Sequence, residues 1–329
     1  MSKTTEAATI AARNQEKRLS GRLASSALIA VTLIIAVTAI VLTPNFLTVD
    51  NLRAILRNAA TVGIVAVAMT PITLSGNFVS LAISQTAMGA MVAFVVLISM
   101  GVPQPLAILI VILGTMLVGA AQGLVVAAGL NPIITTLAAG AIIFGTVSQL
   151  TGGGIVRIGD NPVSWGGGTL FGVPIEVLVF LVLTLVLTIV MARTVTGRET
   201  LLVGANRATA EISGISYARV TVIAFMIFSI GAAIAGILSG AAFGQATANS
   251  FSSLTISAVA AILVGGTAIK GGRGSPLRSA LGAIIISVIS NMMVLNDFST
   301  GGRLAVQGGV VVAIVIILEF LRQKGGVKQ

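Results

Sequence analysis

The sequence contains no cysteine and no histidine. Those absences remove disulfides, thiol nucleophiles, imidazole catalysis and most transition-metal sites, so neither a catalytic residue nor a metal-ligand set is expected. Charge is also scarce: 9% of the 329 residues are Asp, Glu, Lys or Arg, against 56% that are hydrophobic. A water-soluble domain of this size could not cover so much apolar surface. No window reads G-x-x-x-x-G-K-[ST], and Gly271-Gly272-Arg273-Gly274-Ser275 does not follow a strand as a phosphate loop would. The chain is therefore expected to bind no ATP by itself.

The acids are few and peripheral. Asp50, Asp160, Glu176, Glu199, Glu211, Asp297 and Glu319 fall in loops or at helix ends, and Glu6 and Glu16 in the N-terminal tail. Proton-coupled carriers usually keep an ionisable group near the bilayer centre, so that class is disfavoured. Sodium coupling through backbone carbonyls needs no acid, and an ion-coupled secondary solute carrier stays as the alternative reading.

What the chain does have is long apolar runs. They predict an all-α, polytopic membrane protein with about ten transmembrane helices, at 24–43, 59–75, 81–100, 105–128, 132–150, 174–192, 220–244, 255–269, 279–295 and 304–321. With the N-terminus in the cytoplasm, the inner side receives Lys3, Arg13, Lys17, Arg18, Arg22, Arg193, Arg198, Arg207, Arg219, Lys270, Arg273, Arg278, Arg322, Lys324 and Lys328. The outer side receives only Arg53, Arg57, Arg157 and Arg303. This bias selects cytoplasmic N- and C-termini. It also accounts for the net charge of +10 without a nucleic-acid partner, since the cations sit in short loops beside membrane lipid.

Between the spans, Asn51 to Asn58 reads as a short interfacial helix, with Leu52, Ile55 and Leu56 on one face and Arg53 and Arg57 on another. Gly119 and Gly123, then Gly236, Gly240 and Gly244, supply small residues at four-residue spacing for close helix packing. The 151–173 segment is the longest outward loop, and its Trp165 reads as an interfacial anchor.

The 193–219 segment is longer than a connector requires. Asn206 can cap a short helix there, Arg207 and Glu211 stand four apart on its outer face, and Gly214 can end it in a left-handed conformation. Gly197-Arg198, Val203-Gly204-Ala205-Asn206, Ala208, Ala210 and Ser213-Gly214-Ile215 resemble the coupling segment of ribose-type (branched-chain/carbohydrate) ABC transporter permeases. Other blocks follow in that family's order: Asn131-Pro132 with Thr136-Leu137, Phe144-Gly145, Leu150-Thr151-Gly152-Gly153, Ala258 to Thr267, and Gly271 to Ser275, with Asn291 and Gln307 also in place. The resemblance covers roughly residues 45–320. Two acidic positions of the family are absent: Gly76-Asn77-Phe78-Val79-Ser80-Leu81-Ala82-Ile83-Ser84 stands where it usually reads Gly-Gly-Ile-Asp-Leu-Ser-Val-Gly-Ser, and Ser252-Ser253-Leu254-Thr255 covers the second. A divergent substrate, or a second, non-identical permease beside this one, would fit that departure.

The resemblance implies a type II ABC importer-like subunit of the bacterial inner membrane. A polar tail (1–22), a permease domain (23–322, with its coupling loop at 193–219) and a cytoplasmic tail (323–329) make up the chain. Cytoplasmic ABC ATPase subunits would hold the ATP and magnesium, a periplasmic sugar-binding protein would deliver the solute, and a second permease copy or paralogue would complete the pore. Gly197, Arg198, Gly204, Asn206, Arg207, Glu211 and Gly214 are the candidate ATPase-coupling residues. Polar residues at expected helix breaks, Asn77, Ser84, Gln85, Gln122, Asn131, Asn249 and Asn291, are the candidates for the translocation path; each could instead make a helix-to-helix hydrogen bond.

Overall fold

The computed structural model describes residues 38, 40, 43, 44, 46–159, 163–268 and 270–324. The N-terminal tail, nearly all of the predicted 24–43 span and the last five residues lie outside the described residues. Eleven α-helices occupy most of the remainder: α1 (Val49–Leu74), α2 (Ile83–Ser99), α3 (Gln104–Ala127), α4 (Pro132–Thr151), α5 (Ile175–Arg193), α6 (Val195–Ala205), α7 (Arg207–Ile212), α8 (Tyr217–Phe243), α9 (Leu254–Val264), α10 (Pro276–Leu295) and α11 (Thr300–Lys324). Two small strand pairs accompany them. β1 (Val156–Arg157) pairs antiparallel with β4 (Gln245–Ala246), and β2 (Thr169–Leu170) with β3 (Val173–Pro174).

Among the described residues, α1, α3, α4, α5, α8 and α10 are long and apolar enough to cross a membrane, while α2 and α9 are shorter apolar helices. The protein is a multi-pass membrane protein. α1 is buried on every side from Val62 to Leu74 and forms the centre together with α8. Glycines permit that packing. A Cβ at Gly119 or Gly123 of α3 would meet Phe225, Ser229 and Val222 of α8, one at Gly231 would meet Ala68 of α1, and one at Gly236 would meet Ala87 and Met91 of α2. On the periphery, α3, α4 and α5 expose Leu113, Leu117, Ile134, Ile142, Leu181 and Leu185, an apolar skin suited to lipid.

Three sequence expectations are corrected. The interfacial helix at Asn51–Asn58 and the span after it are one helix, α1. No glycine or proline interrupts residues 51–62, and two polar side chains of this stretch find partners inside the protein: Asn51 exchanges amide hydrogen bonds with Asn291 (3.1 and 2.8 Å), Arg57 donates to the Gly167 carbonyl (2.8 Å), and the Arg57 Nε lies 3.7 Å from the Glu176 carboxylate. Trp165 is not a surface anchor; it is half-buried and packs against two apolar clusters of the helical core. Gly244 is not a packing position. It ends α8 with φ +62°, and a Cβ there would meet nothing within 4 Å.

The loops gather at two ends of α8, whose 27 residues extend about 40 Å. At the first end, Gly76, Gly204 and Gly271 come into backbone contact, and the Gly272 N–H donates to the Leu74 carbonyl (2.9 Å). At the second, β1 pairs with β4 and the Ile158 N–H donates to the Gly244 carbonyl (3.1 Å). The cations of the 193–219 and 270–278 segments share the first end.

Candidate functional site

The 193–216 segment folds as two helices that meet at Asn206. Thr194 caps α6, its hydroxyl accepting from the Gly197 N–H (3.2 Å), and Asn206 caps α7, its side-chain oxygen accepting from the Thr209 N–H (3.1 Å). Gly214 leaves α7 with φ +79°. Arg207 Nε donates to Glu211 (2.9 Å) on an exposed face, as the four-residue spacing predicts. Arg198 is exposed, whereas Gly197 is buried against the backbone of Met191. Gly204 also faces inward, contrary to the expectation of a cytoplasm-exposed stretch: a Cβ there would collide with the Leu74 carbonyl and approach the Gly272 nitrogen at 2.7 Å. The seven candidates therefore divide into an outer face (Arg198, Asn206, Arg207, Glu211, Gly214) and a seat (Gly197, Gly204).

A side-chain relay runs inward from that outer face. The Arg207 guanidinium lies 3.6 Å from the centroid of the Tyr217 ring, and the Tyr217 hydroxyl donates to Asn77 Oδ1 (2.8 Å). Asn77 Nδ2 in turn donates to Ser75 Oγ (3.0 Å) and Thr221 Oγ1 (3.3 Å). An open crevice of about 360 Å³ lies beside α7, lined by Ala127, Arg207, Glu211, Gly214, Tyr217 and their neighbours. This end joins an exposed ion pair, a crevice beside it and a hydrogen-bonded route into the bundle.

The path candidates do not form a single file. Asn131 is exposed and caps α4 by accepting from the Ile133 N–H (2.9 Å), and Asn249 is exposed in the loop before α9. Asn291 is the buried helix-to-helix partner of Asn51. Ser84, at the start of α2, bonds Thr255 at the start of α9. Gln122 is buried and neither of its amide atoms has a partner among the described residues; Gln85 Oε1 is likewise unpaired. A groove of about 270 Å³ opens between α2, α3 and α4, with Thr86, Gly89, Gly114 and Thr115 on its walls.

Residues 51–317 match the model of the branched-chain amino acid transport system permease component family. The chain belongs to this permease family. It is 33% identical over 288 residues to the probable ABC transporter permease YphD of Escherichia coli, covering 85% of each chain. It is 29% identical over 303 residues to the ribose import permease RbsC of Haemophilus influenzae (90% of this chain, 93% of the relative). It is 28% identical over 267 residues to the autoinducer 2 import permease LsrD of Yersinia enterocolitica (78% and 79%). No solved structure matches it.

Sequence reasoning about this permease missed three residues at the first end. Tyr217 is its single tyrosine, a singularity that was the one available signal and went unused. Arg219 donates to both carboxylate oxygens of Glu199 (2.9 Å each), tying α8 to α6, and Thr221 receives Asn77. Neither carries a local signal, because each partner lies far along the chain.

Proposed function

We propose that the chain is the membrane-spanning subunit of an ATP-binding cassette importer that admits a sugar or sugar-like solute across the bacterial inner membrane. The observation that carries this reading is the match over residues 51–317 together with relatives named for ribose and autoinducer 2 import. In this reading ATP and magnesium bind separate cytoplasmic ATPase subunits, a periplasmic binding protein delivers the solute, and a second permease, identical or paralogous, completes the assembly. The chain crosses the membrane about ten times with both termini inside, in keeping with the gathering of cations at one end.

α7 is the coupling element. Its exposed Arg207–Glu211 pair and adjoining crevice enter a complementary cleft of the ATPase, while Gly204 seats the segment on the bundle and Tyr217 passes its displacement to Asn77. Such coupling requires contacts that differ between two states of the ATPase pair.

The test is uptake by proteoliposomes holding the permease with its ATPase subunits and binding protein, with labelled D-ribose as the first of a pentose and hexose panel. Uptake is expected to require ATP and to survive ionophores that collapse proton and sodium gradients. Gradient-driven uptake by the chain alone would overturn the reading in favour of a secondary carrier.

A further inference from the structure

Two helices of the permease begin half-way through the molecule. α2 lies along the outer half of α8, with Ala87 against Gly236 and Phe94 against Gly240, which places Ser84 roughly 25 Å along the roughly 40 Å of α8. Residues 76–82 cover the inner half without regular structure, and Asn77, Val79, Ser80 and Ala82 are buried there. α9 comes from the opposite side. The 247–253 loop follows β4, and the 11 residues of α9 then run about 16 Å back toward the first end.

The two helices meet at their N-termini, each capping the other. The Ser84 N–H donates to Thr255 Oγ1 (3.2 Å), the Thr255 N–H donates to Ser84 Oγ (3.0 Å), and the two hydroxyls lie 2.7 Å apart in a hydrogen bond of their own. A buried helix start needs partners for its free N–H groups, and here each helix supplies the other's. The arrangement is not restful. Two positive helix ends face each other, and Phe251, three residues before α9, holds φ +66°, a left-handed backbone that a side chain disfavours. Nor is it isolated, since the chain leading to Ser84 begins at Gly76, packed on Gly204, and at Asn77, bonded to Tyr217. A shift of α7 therefore reaches this junction through the Arg207–Tyr217 and Tyr217–Asn77 contacts and then along the chain from Asn77 to Ser84.

We propose that the Ser84–Thr255 pair is a latch between α2 and α9, closed in this structure and parted in every transport cycle. The proposal rests on the permease reading above. Because the native chain has no cysteine, Ser84→Cys with Thr255→Cys provides a unique cross-link. In the complex with its ATPase subunits, oxidation by copper phenanthroline should join the pair readily without nucleotide and about tenfold more slowly after trapping with ATP and vanadate. The joined complex should lose about tenfold in ATP turnover, and dithiothreitol should restore it. Equal cross-linking in both states with unchanged turnover would overturn the latch. Thr255→Val, which keeps the side chain's shape, is the second variant: turnover without binding protein should rise about fivefold, and normal assembly with normal turnover would equally overturn it. If the native chain itself neither retains the ATPase nor supports turnover, the permease reading fails and the latch with it, an outcome separate from those two.

Discussion

Gly204 and Gly214 lie ten residues apart in one segment and carry opposite constraints. At Gly204 the backbone conformation suits any residue but there is no room, since Leu74 and Gly272 occupy the place of a Cβ; at Gly214 there is room, but φ is +79°. Gly204→Ala is therefore expected to cost more than about 3 kcal/mol and to lower the yield of folded protein in detergent. Gly214→Ala should cost only about 1 kcal/mol. Equal behaviour of the two in thermal unfolding would show that Gly204 is not a seat. Tyr217→Phe keeps the ring under Arg207 but removes the hydrogen bond to Asn77. It should cost about 1 kcal/mol of stability. If Tyr217 relays motion, ATP turnover in the complex should also lose its response to the binding protein, whereas a packing role alone would leave that response intact.

At the scale of elements, α1 and α10 are joined near one end by the Asn51–Asn291 amide pair, the chief polar contact between them at that level. Asn291→Leu strands the Asn51 oxygen and should cost about 1–3 kcal/mol, and adding Asn51→Leu should recover part of the loss; a double variant worse than either single one would contradict this account. The same pair shows how far the sequence could be read. Apolar runs located α3, α4, α5, α8 and α10 to within a few residues, because lipid imposes length and composition on each run separately. The cap at Asn206 and the left-handed exit at Gly214 were legible for a similar reason, being local chemistry. What escaped were relations between distant residues. Nothing near Asn51 announces Asn291, nothing near Gly204 announces Leu74, and the continuity of α1 depends on Glu176 and Gly167 receiving Arg57 from over 100 residues away. Among the path candidates, the sequence supplied polarity and the fold decided the use: a cap for Asn131, a helix pair for Asn291, a junction for Ser84.

At the scale of the molecule, the bundle separates two sets of loops, and the cations of the 193–219 and 270–278 segments share the end where α7 lies. If that end faces the cytoplasm, reporter fusions after Ile212 and after Trp165 should report inside and outside respectively; the reverse would invert the proposed topology. The coupling claim makes the sharpest demand on the whole assembly. Arg207→Glu with Glu211→Lys reverses the exposed face of α7 while keeping an i,i+4 ion pair within it, so the helix itself should persist. Its partner cleft, however, would then meet the wrong charges. The measurement is retention of the ATPase subunit and ATP turnover after purification through a tag on the permease, comparing this variant with the native chain at equal membrane abundance. The account predicts that the native chain keeps an active ATPase and that the variant loses about tenfold or more of both. Equal retention and equal turnover would show that α7 is not where the ATPase engages this protein.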